Sequence, residues 1–313
     1  MSGPIACVPP RDISRSLVRP GGVLATQAGP FPGAGGKTFN LIQEDRLSAK
    51  FTLKVTSRTV AIAGIAALAG LAGAIPSQAD EADAKTLLKQ MSDYLAAQKA
   101  FSFDYDSDLE VVTKDQQKLA LASSGNMAVE RPDKLRAERV GGFTDVEVVY
   151  DGKTLSILGD QKSAYSQAEL PGTLDQLFDT LRDKYGRPIS GADLLLSDVY
   201  DALMPEVKDV KDLGSGVIGG VECNHLAFRT DEVDWQIWIA TGADPYPCRY
   251  VVTSKEVPGS PEYRVDLRNW KAGDKVAQAD FGFQPPANAK KVEMSDLPET
   301  DELPKSFAVG GTK

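Results

Sequence analysis

Val146-Glu-Val-Val-Tyr150, Asp151-Gly152-Lys153-Thr154, Leu155-Ser-Ile-Leu158: in this stretch two apolar-rich runs flank an Asp-Gly pair. Asp-Gly tolerates the positive φ angles of a tight hairpin turn, so the stretch predicts two antiparallel strands. Upstream, Glu130-Arg131-Pro132-Asp133-Lys134-Leu135-Arg136 contains a proline that confines a strand to an edge, an end or a bulge. Downstream, the pattern turns helical at Gly172 and returns to strands only after Gly219.

The same alternation extends outward from the hairpin. Phe101, Phe103, Tyr105, Leu109 and Val111 alternate with Ser102, Asp104, Asp106, Asp108 and Glu110, giving a dry face and a wet face. Leu119, Leu121, Met127 and Val129 continue the dry face, which Ser123 and Gly125 leave thinly covered. Runs over 134–140 and 162–167 bring the first group to about six strands. Ahead of them, Leu87, Leu88, Met91, Tyr94 and Leu95 make one face of a helix over 81–100. After them, Thr173 and Gln176 have capping-box spacing before Leu174, Leu177, Phe178 and Leu181, with Gly186 as the stop. A second helix is predicted from Ser190 to Leu203, carrying Leu194, Leu195, Leu196, Val199 and Tyr200 and ended by Pro205. Five more strands are predicted over 221–230, 234–239, 249–254, 262–269 and 277–283.

About eleven strands with one apolar face each, and about three amphipathic helices, predict a mainly β, α+β fold. The economical packing is a curled antiparallel sheet with the helices covering its concave face. Phe103, Tyr105, Leu109, Leu121, Met127, Tyr263 and Val265 of the strands would then face Leu177, Phe178, Leu195 and Val199 of the helices. Two outcomes are open: a fully packed core, or an apolar cavity lined by these residues and suited to a greasy ligand.

Arg58, the apolar run Val60 to Ile75 and Ser77-Gln78-Ala79 have the layout of a signal peptide over 58–79, cleaved after Ala79. The apolar run is shorter than the ~20 residues of a membrane-spanning helix. Residues 1–57 lack sustained periodicity and read as a disordered extension or one from a mis-called start. Residues 295–313 read as a disordered acidic tail, leaving a folded domain over 80–294. Residues 1–79 hold eight basic and three acidic residues, so the remainder has 27 against 41 and a net charge of −14. Such a chain repels phosphate backbones, which excludes nucleic acid as a partner. No stable membrane insertion is expected after cleavage.

Cys223 and Cys248 remain after cleavage, an even count that favours a disulfide in an oxidising compartment. Strand geometry opposes it. If 231–232 and 242–247 turn successive hairpins, the cysteines flank Ala240 from strands about 9.6 Å apart, beyond the ~7 Å that a disulfide spans between Cα atoms. The bond requires the middle strand to end or bend before Ala240, as Gly242, Pro245 and Pro247 permit. Both outcomes stand.

Arg131-Pro132, Val149-Tyr-Asp151-Gly152-Lys153-Thr154-Leu155 and Phe281-Gly-Phe283-Gln-Pro285-Pro286 resemble the LolA family of periplasmic lipoprotein carriers. The order of helix, six strands, helices and five strands is similar too. More closely, Asn224-His225-Leu226-Ala227-Phe228-Arg229, Asp234-Trp235-Gln236-Ile237-Trp238-Ile239 and Pro247-Cys248-Arg249-Tyr250-Val251-Val252-Thr253 resemble a family of predicted periplasmic proteins sharing that fold. The resemblance spans about 82–293. It implies an open half-barrel with a helical lid over an acyl-chain pocket, in which Arg131 latches the lid to the 190–203 segment. The departures are Leu135, where the carriers have an aromatic residue, and the added Trp, His and Cys motifs. The implied function is non-enzymatic binding or carriage of a lipid or lipidated ligand in the periplasm. The second reading is an envelope protein-interaction or stress-sensor module on the same fold, with another envelope protein as partner.

Other motifs point to no enzyme and no cofactor. Gly214-Ser-Gly216-Val-Ile-Gly219 spells G-x-G-x-x-G, but a strand follows where a dinucleotide site needs a helix. Gly33-Ala-Gly-Gly36-Lys37-Thr38 imitates a phosphate loop with Phe31 at the first required glycine. Asp104, Asp106 and Asp108 have calcium-ligand spacing, but Leu109 replaces the needed glycine. His225 is the only histidine and no G-x-S-x-G occurs, which removes multi-histidine metal sites and the common serine triad. Trp235, Trp238 and Trp270 are predicted to pack the sheet.

Overall fold

A computed structural model of the protein describes residues 78–294 except 144, 160–162, 186–188 and 277–278. The N-terminal extension, most of the leader and the acidic tail lie outside the described residues. Helix α1 (Gln78–Ala97) precedes strands β1 (Ala100–Val112), β2 (Lys118–Glu130), β3 (Lys134–Gly141), β4 (Asp145–Tyr150), β5 (Thr154–Gly159) and β6 (Ala164–Glu169). Next come α2 (Leu174–Asp183), a 3₁₀ turn (Ala192–Leu195) and α3 (Val199–Leu203). Strands β7 (Asp209–Ile218), β8 (Val221–Arg229), β9 (Val233–Ala240), β10 (Pro247–Ser254), β11 (Glu262–Ala272) and β12 (Lys290–Lys291) complete the fold. The strands form one open sheet in the order β12-β6-β5-β4-β3-β2-β1-β11-β10-β9-β8-β7, antiparallel except where β12 joins β6.

The Asp-Gly hairpin forms as its residues dictate. Gly152 takes φ 93°, and the Asp151 carboxylate accepts from the N–H groups of Lys153 and Thr154 at 2.9 and 2.7 Å. A Cβ on Gly152 would lie 2.7 Å from the Asp133 carboxylate, so glycine is needed for space as well as conformation. Tyr150, fully buried at the end of β4, has its hydroxyl 2.7 Å from the carbonyls of both Leu170 and Gly172 and ties the exit of β6 back to the sheet.

Topology decides where the helices go. Consecutive strands β6 and β7 lie at opposite sides of the sheet, so the chain between them must cross its whole width. It crosses on the concave side, where Leu174, Leu177, Phe178 and Leu181 of α2 join the same buried cluster as Phe103, Tyr150 and Trp235. Thr173 and Gln176 make both hydrogen bonds of the capping box.

Four expectations are corrected. The helix expected over 190–203 is broken: the backbone is extended at Leu196, and α3 starts afresh with Asp198 accepting from Asp201 N. Ser197 and Asp198 favour side-chain bonding to backbone over helix continuation. Strand β7 was not expected, because Gly214 and Gly216 erase the apolar alternation that marks a strand; its pairing with β8 sustains it, with a bulge after Asp212. Residues 279–288 are not the expected strand. They cross the convex face, where Arg136 donates to the carbonyls of Asp280 and Gly282 and Phe283 packs on Tyr165. The dry face is not thinly covered at Ser123 and Gly125: Ser123 bonds Ser107 at 2.8 Å, and the Tyr105 ring lies over Gly125 to donate to Glu138 O at 3.2 Å.

The disulfide forms. Cys223 pairs with Ala240, the last residue of β9, and a bulge between Pro247 and Arg249 displaces Cys248, bringing the two Cα atoms to 7.0 Å. Around it Trp238, Tyr246 and Val221 pack into a small separate cluster.

Two outcomes follow for stability. A Cβ at position 125 would meet Glu138 O at 2.0 Å and the Tyr105 ring at 2.6 Å, so Gly125→Ala should lower unfolding free energy in urea by about 1–3 kcal/mol. Reduction of Cys223–Cys248 should cost roughly 3 kcal/mol, read as a shift of the urea midpoint with and without reductant.

Candidate functional site

The concave face is unevenly covered. On its β8–β10 half Leu226, Trp235, Ile237 and Tyr250 are all 0% exposed beneath α1 and the crossing segment. On its β1–β4 half Tyr105, Leu119, Leu121, Met127 and Val148 are only half-buried. Of the sequence-nominated lining residues, Phe103, Leu109, Leu177, Phe178, Leu195, Val199, Tyr263 and Val265 share one contiguous cluster, with Tyr105 and Met127 packed against it. Leu121 faces Leu109 across β1–β2 but lies outside that cluster.

The segment between the 3₁₀ turn and α3 is clasped by polar groups from three elements. Arg131 Nη2 donates to Leu196 O at 3.0 Å. Asp175, in the first turn of α2, accepts from Ser197 N at 3.0 Å and from the Ser197 hydroxyl. From α1, the buried Ser92 hydroxyl donates to Asp198 at 3.2 Å and accepts from Tyr200 N at 3.0 Å. Arg131 also lies over the Phe101 ring at 5.5 Å, and burial pulls its pKa below the ordinary value while the Asp175 charge acts the other way. The helix break and the clasp are therefore one feature: an extended backbone at Leu196–Asp198 exposes the groups that Arg131 and Asp175 hold.

Two polar residues on the concave side were not nominated from the sequence. Arg139 lies in the row of Tyr105, Gly125 and Val146, and the alternation Leu135, Ala137, Arg139 was the available signal. Asp193 sits in the 3₁₀ turn between the buried Ala192 and Leu194. Burial pushes its carboxyl up to about 6, against the pull of the Arg182 charge and its own backbone N–H. Burial likewise raises Tyr250 well above the ordinary tyrosine value, with the Asp193 charge and Tyr263 adding to the shift.

The remaining singled-out residues serve the sheet. His225 stacks on Trp238 at 3.9 Å and pairs with Gln236 at 2.9 Å; Trp238 also carries Arg249 at 5.5 Å. Trp270 stacks on Phe101, Phe103 and Tyr246. Asp104 and Asp106 bond Asn269 and Arg268. Among the described residues, no group of three or more His, Cys, Asp or Glu is placed to hold a metal ion.

Residues 84–295 match the family described as "Predicted periplasmic protein (DUF2092)". The chain belongs to this family. Its compartment is the periplasm, and among the described residues no helix is long and apolar enough to cross a membrane. No curated protein matches the chain significantly. Similar solved structures include lipoprotein LppX of Mycobacterium tuberculosis, at 13% identity over 64% of this chain and 100% of that one, TM-score 0.40. A LolA superfamily protein of Nitrosomonas europaea aligns at 10% identity over 61% and 94%, TM-score 0.27. The MucA/MucB complex of Pseudomonas aeruginosa aligns at 15% over 67% and 63%, TM-score 0.37.

The Asp193 shift sets a pH dependence. A folded-state pKa of about 6 against an ordinary 3.8 favours the neutral form in the fold, so stability falls as pH rises through that window. The carboxyl is enclosed but the residue as a whole is half-buried, which reduces the penalty to about 1–2 kcal/mol. Asp193→Asn should exceed the wild type in stability by that amount at about pH 8, and the gap should close near pH 4, in urea titrations at both values.

Proposed function

We propose that this DUF2092 protein is a non-enzymatic periplasmic binding or carrier protein for a hydrophobic ligand bearing an acyl chain. The observation that carries the reading is the half-buried apolar surface of β1–β4 beside a lid segment held by a few polar bonds. Tyr105, Leu121 and Met127 present apolar area that an acyl chain would cover. Phe103, Leu109, Tyr263 and Val265 form the floor behind them, and Leu177, Phe178, Leu195 and Val199 the cover.

The energies are compatible with reversible loading. Each methylene transferred from water contributes about 0.8 kcal/mol, so a sixteen-carbon chain gains on the order of 10 kcal/mol before ordering costs. A charge-assisted hydrogen bond such as Arg131 to Leu196 O contributes roughly 1.5–3 kcal/mol. A bound chain that takes over the apolar contacts of the cover therefore outweighs this bond, while the bond still slows escape.

Arg131→Leu should leave the fold intact and speed ligand release by about tenfold, the equivalent of one lost bond. The measurement is stopped-flow release of an environment-sensitive fluorescent fatty acid from delipidated protein, with near-ultraviolet circular dichroism as the fold check. Absence of saturable binding by folded, delipidated wild type would transfer the assignment to the envelope interaction module.

A further inference from the structure

The covered half of the concave face holds more polarity than an acyl chain needs. Trp235 and Tyr250 are 0% exposed, yet among the described residues neither the Trp235 indole N–H nor the Tyr250 hydroxyl has a hydrogen-bond partner. Their rings meet edge to face at 6.1 Å. The cross-strand row of Tyr250 runs through Val265 to the hydrogen-bonded hydroxyls of Ser107 and Ser123, so a polar band crosses the apolar sheet. The 3₁₀ turn rests on this region. Its N-cap Gly191 lies so close to Tyr263 that an added Cβ would be 3.7 Å from the ring, and its next polar residue is Asp193.

We propose that Asp193, Tyr250 and Trp235 form a polar subsite within the acyl-binding face that selects ligands carrying an uncharged hydroxyl or amide group over carboxylates and phosphates. The proposal rests on the acyl-ligand reading above. A buried donor without a partner is costly, so a ligand acceptor placed here gains more than at an exposed surface. Anions also offer acceptors, but the Asp193 charge acts on Tyr250 and would repel them. Arg182 of α2 is the cation acting on that carboxyl, and it is bonded to Asp179 and Asp183; Tyr250 and Tyr263 on the sheet side carry no positive charge. The upward shift of Asp193 agrees with a site governed by burial rather than by a neutralising cation. An alkylammonium would suit Asp193 but has no acceptor for the two buried donors. A hydroxyl or primary amide supplies both donor and acceptor.

The test is competition against dansylaminoundecanoate bound to the delipidated full-length exported protein at about pH 8. Tetradecanoate, tetradecanamide and monotetradecanoylglycerol, which share one chain, serve as competitors. The amide and the glyceride should displace the probe at about tenfold lower concentration than the carboxylate. Asp193→Asn should raise carboxylate affinity, and Tyr250→Phe and Trp235→Phe should each cut the preference to about threefold or less, with folding checked by circular dichroism. Equal competition by all three ligands in the wild type, or a preference unchanged in all three variants, would overturn the subsite and leave the acyl-ligand reading standing. Failure of the probe to bind the wild type at all would overturn both. The wild-type series needs no variant to fold and so decides the first point alone.

Discussion

The pairing of β1 with β11 is the contact on which the rest depends. Strands β1 to β6 form one meander and β7 to β11 another, each built from neighbours in sequence. Only β1–β11 joins them, matching Leu109 with Tyr263 and Phe101 with Ala272 across more than half of the folded chain. Such a contact carries a large loop-closure cost and is rewarded only when both apolar faces are already aligned. The alignment is not uniform. Between Ser102 and Asp104 the register shifts, and Asn269 takes φ 53° to absorb the extra residue. That bulge turns Trp270 inward, where it stacks on Phe101 and Phe103 and donates to Tyr94 of α1 at 3.1 Å. One irregularity thus fastens the seam between the two meanders to the first helix.

Joining the meanders at β1–β11 leaves β6 and β7 far apart, and this separation sends the connecting chain across the sheet. Ten strand spacings amount to about 48 Å along a flat sheet, so the connecting chain cannot avoid lying over the concavity. Its apolar side chains bury there beside those of α1, in one cluster with the sheet. Its polar contacts with the rest of the fold include Arg131 after β2 and Ser92 on α1, while Asp175 of α2 ties the connecting chain to itself. Leu174, Leu177, Leu195 and Val199 are all buried, so apolar burial holds the segment on the sheet and the hydrogen bonds fix its path.

How legible all this was in the sequence follows from the range of the forces involved. Alternation over Phe101–Val111, the Asp151-Gly152 turn and the Thr173/Gln176 capping box are local, each decided within a few residues, and each appears as expected. The break at Leu196 was hidden because the apolar pattern there is helical, while the preference of Ser197 and Asp198 for side-chain bonds is reinforced by distant partners, Asp175 and Ser92. Strand β7 was hidden because pairing with β8 supplies what Gly214 and Gly216 withhold; Gly216 lies under Trp238, where an added Cβ would be 3.3 Å from the indole nitrogen. The disulfide turned on a bulge at Cys248 that composition cannot reveal. Among the residues nominated for the site, the apolar ones gather on one face because apolarity is what pattern detects. Asp193 and Arg139 escaped notice because a charged residue on a dry face contradicts the pattern used to find that face.

The charge distribution separates the two faces of the sheet chemically. On the convex side opposite charges are matched across strands: Asp266 accepts from Arg249 and Arg264, and these bonds, overcoming desolvation, hold its carboxyl at about 2. Arg268 pairs with Asp106, and Arg229 with Asp234. Exposed pairs of this kind add little stability but keep the outer surface hydrated and free of large apolar area. On the concave side the Trp235 indole N–H and the Tyr250 hydroxyl have no hydrogen-bond partner among the described residues. Phenylalanine in place of Tyr250 would fill nearly the same space without an unpaired donor, and an apolar residue in place of Asp193 would remove a desolvated carboxyl. The rings of Trp235 and Tyr250 serve packing, Trp235 stacking on Phe228 and meeting Tyr250 edge to face, but their polar atoms do not; under the proposed ligand selection those atoms supply polarity at the point of discrimination.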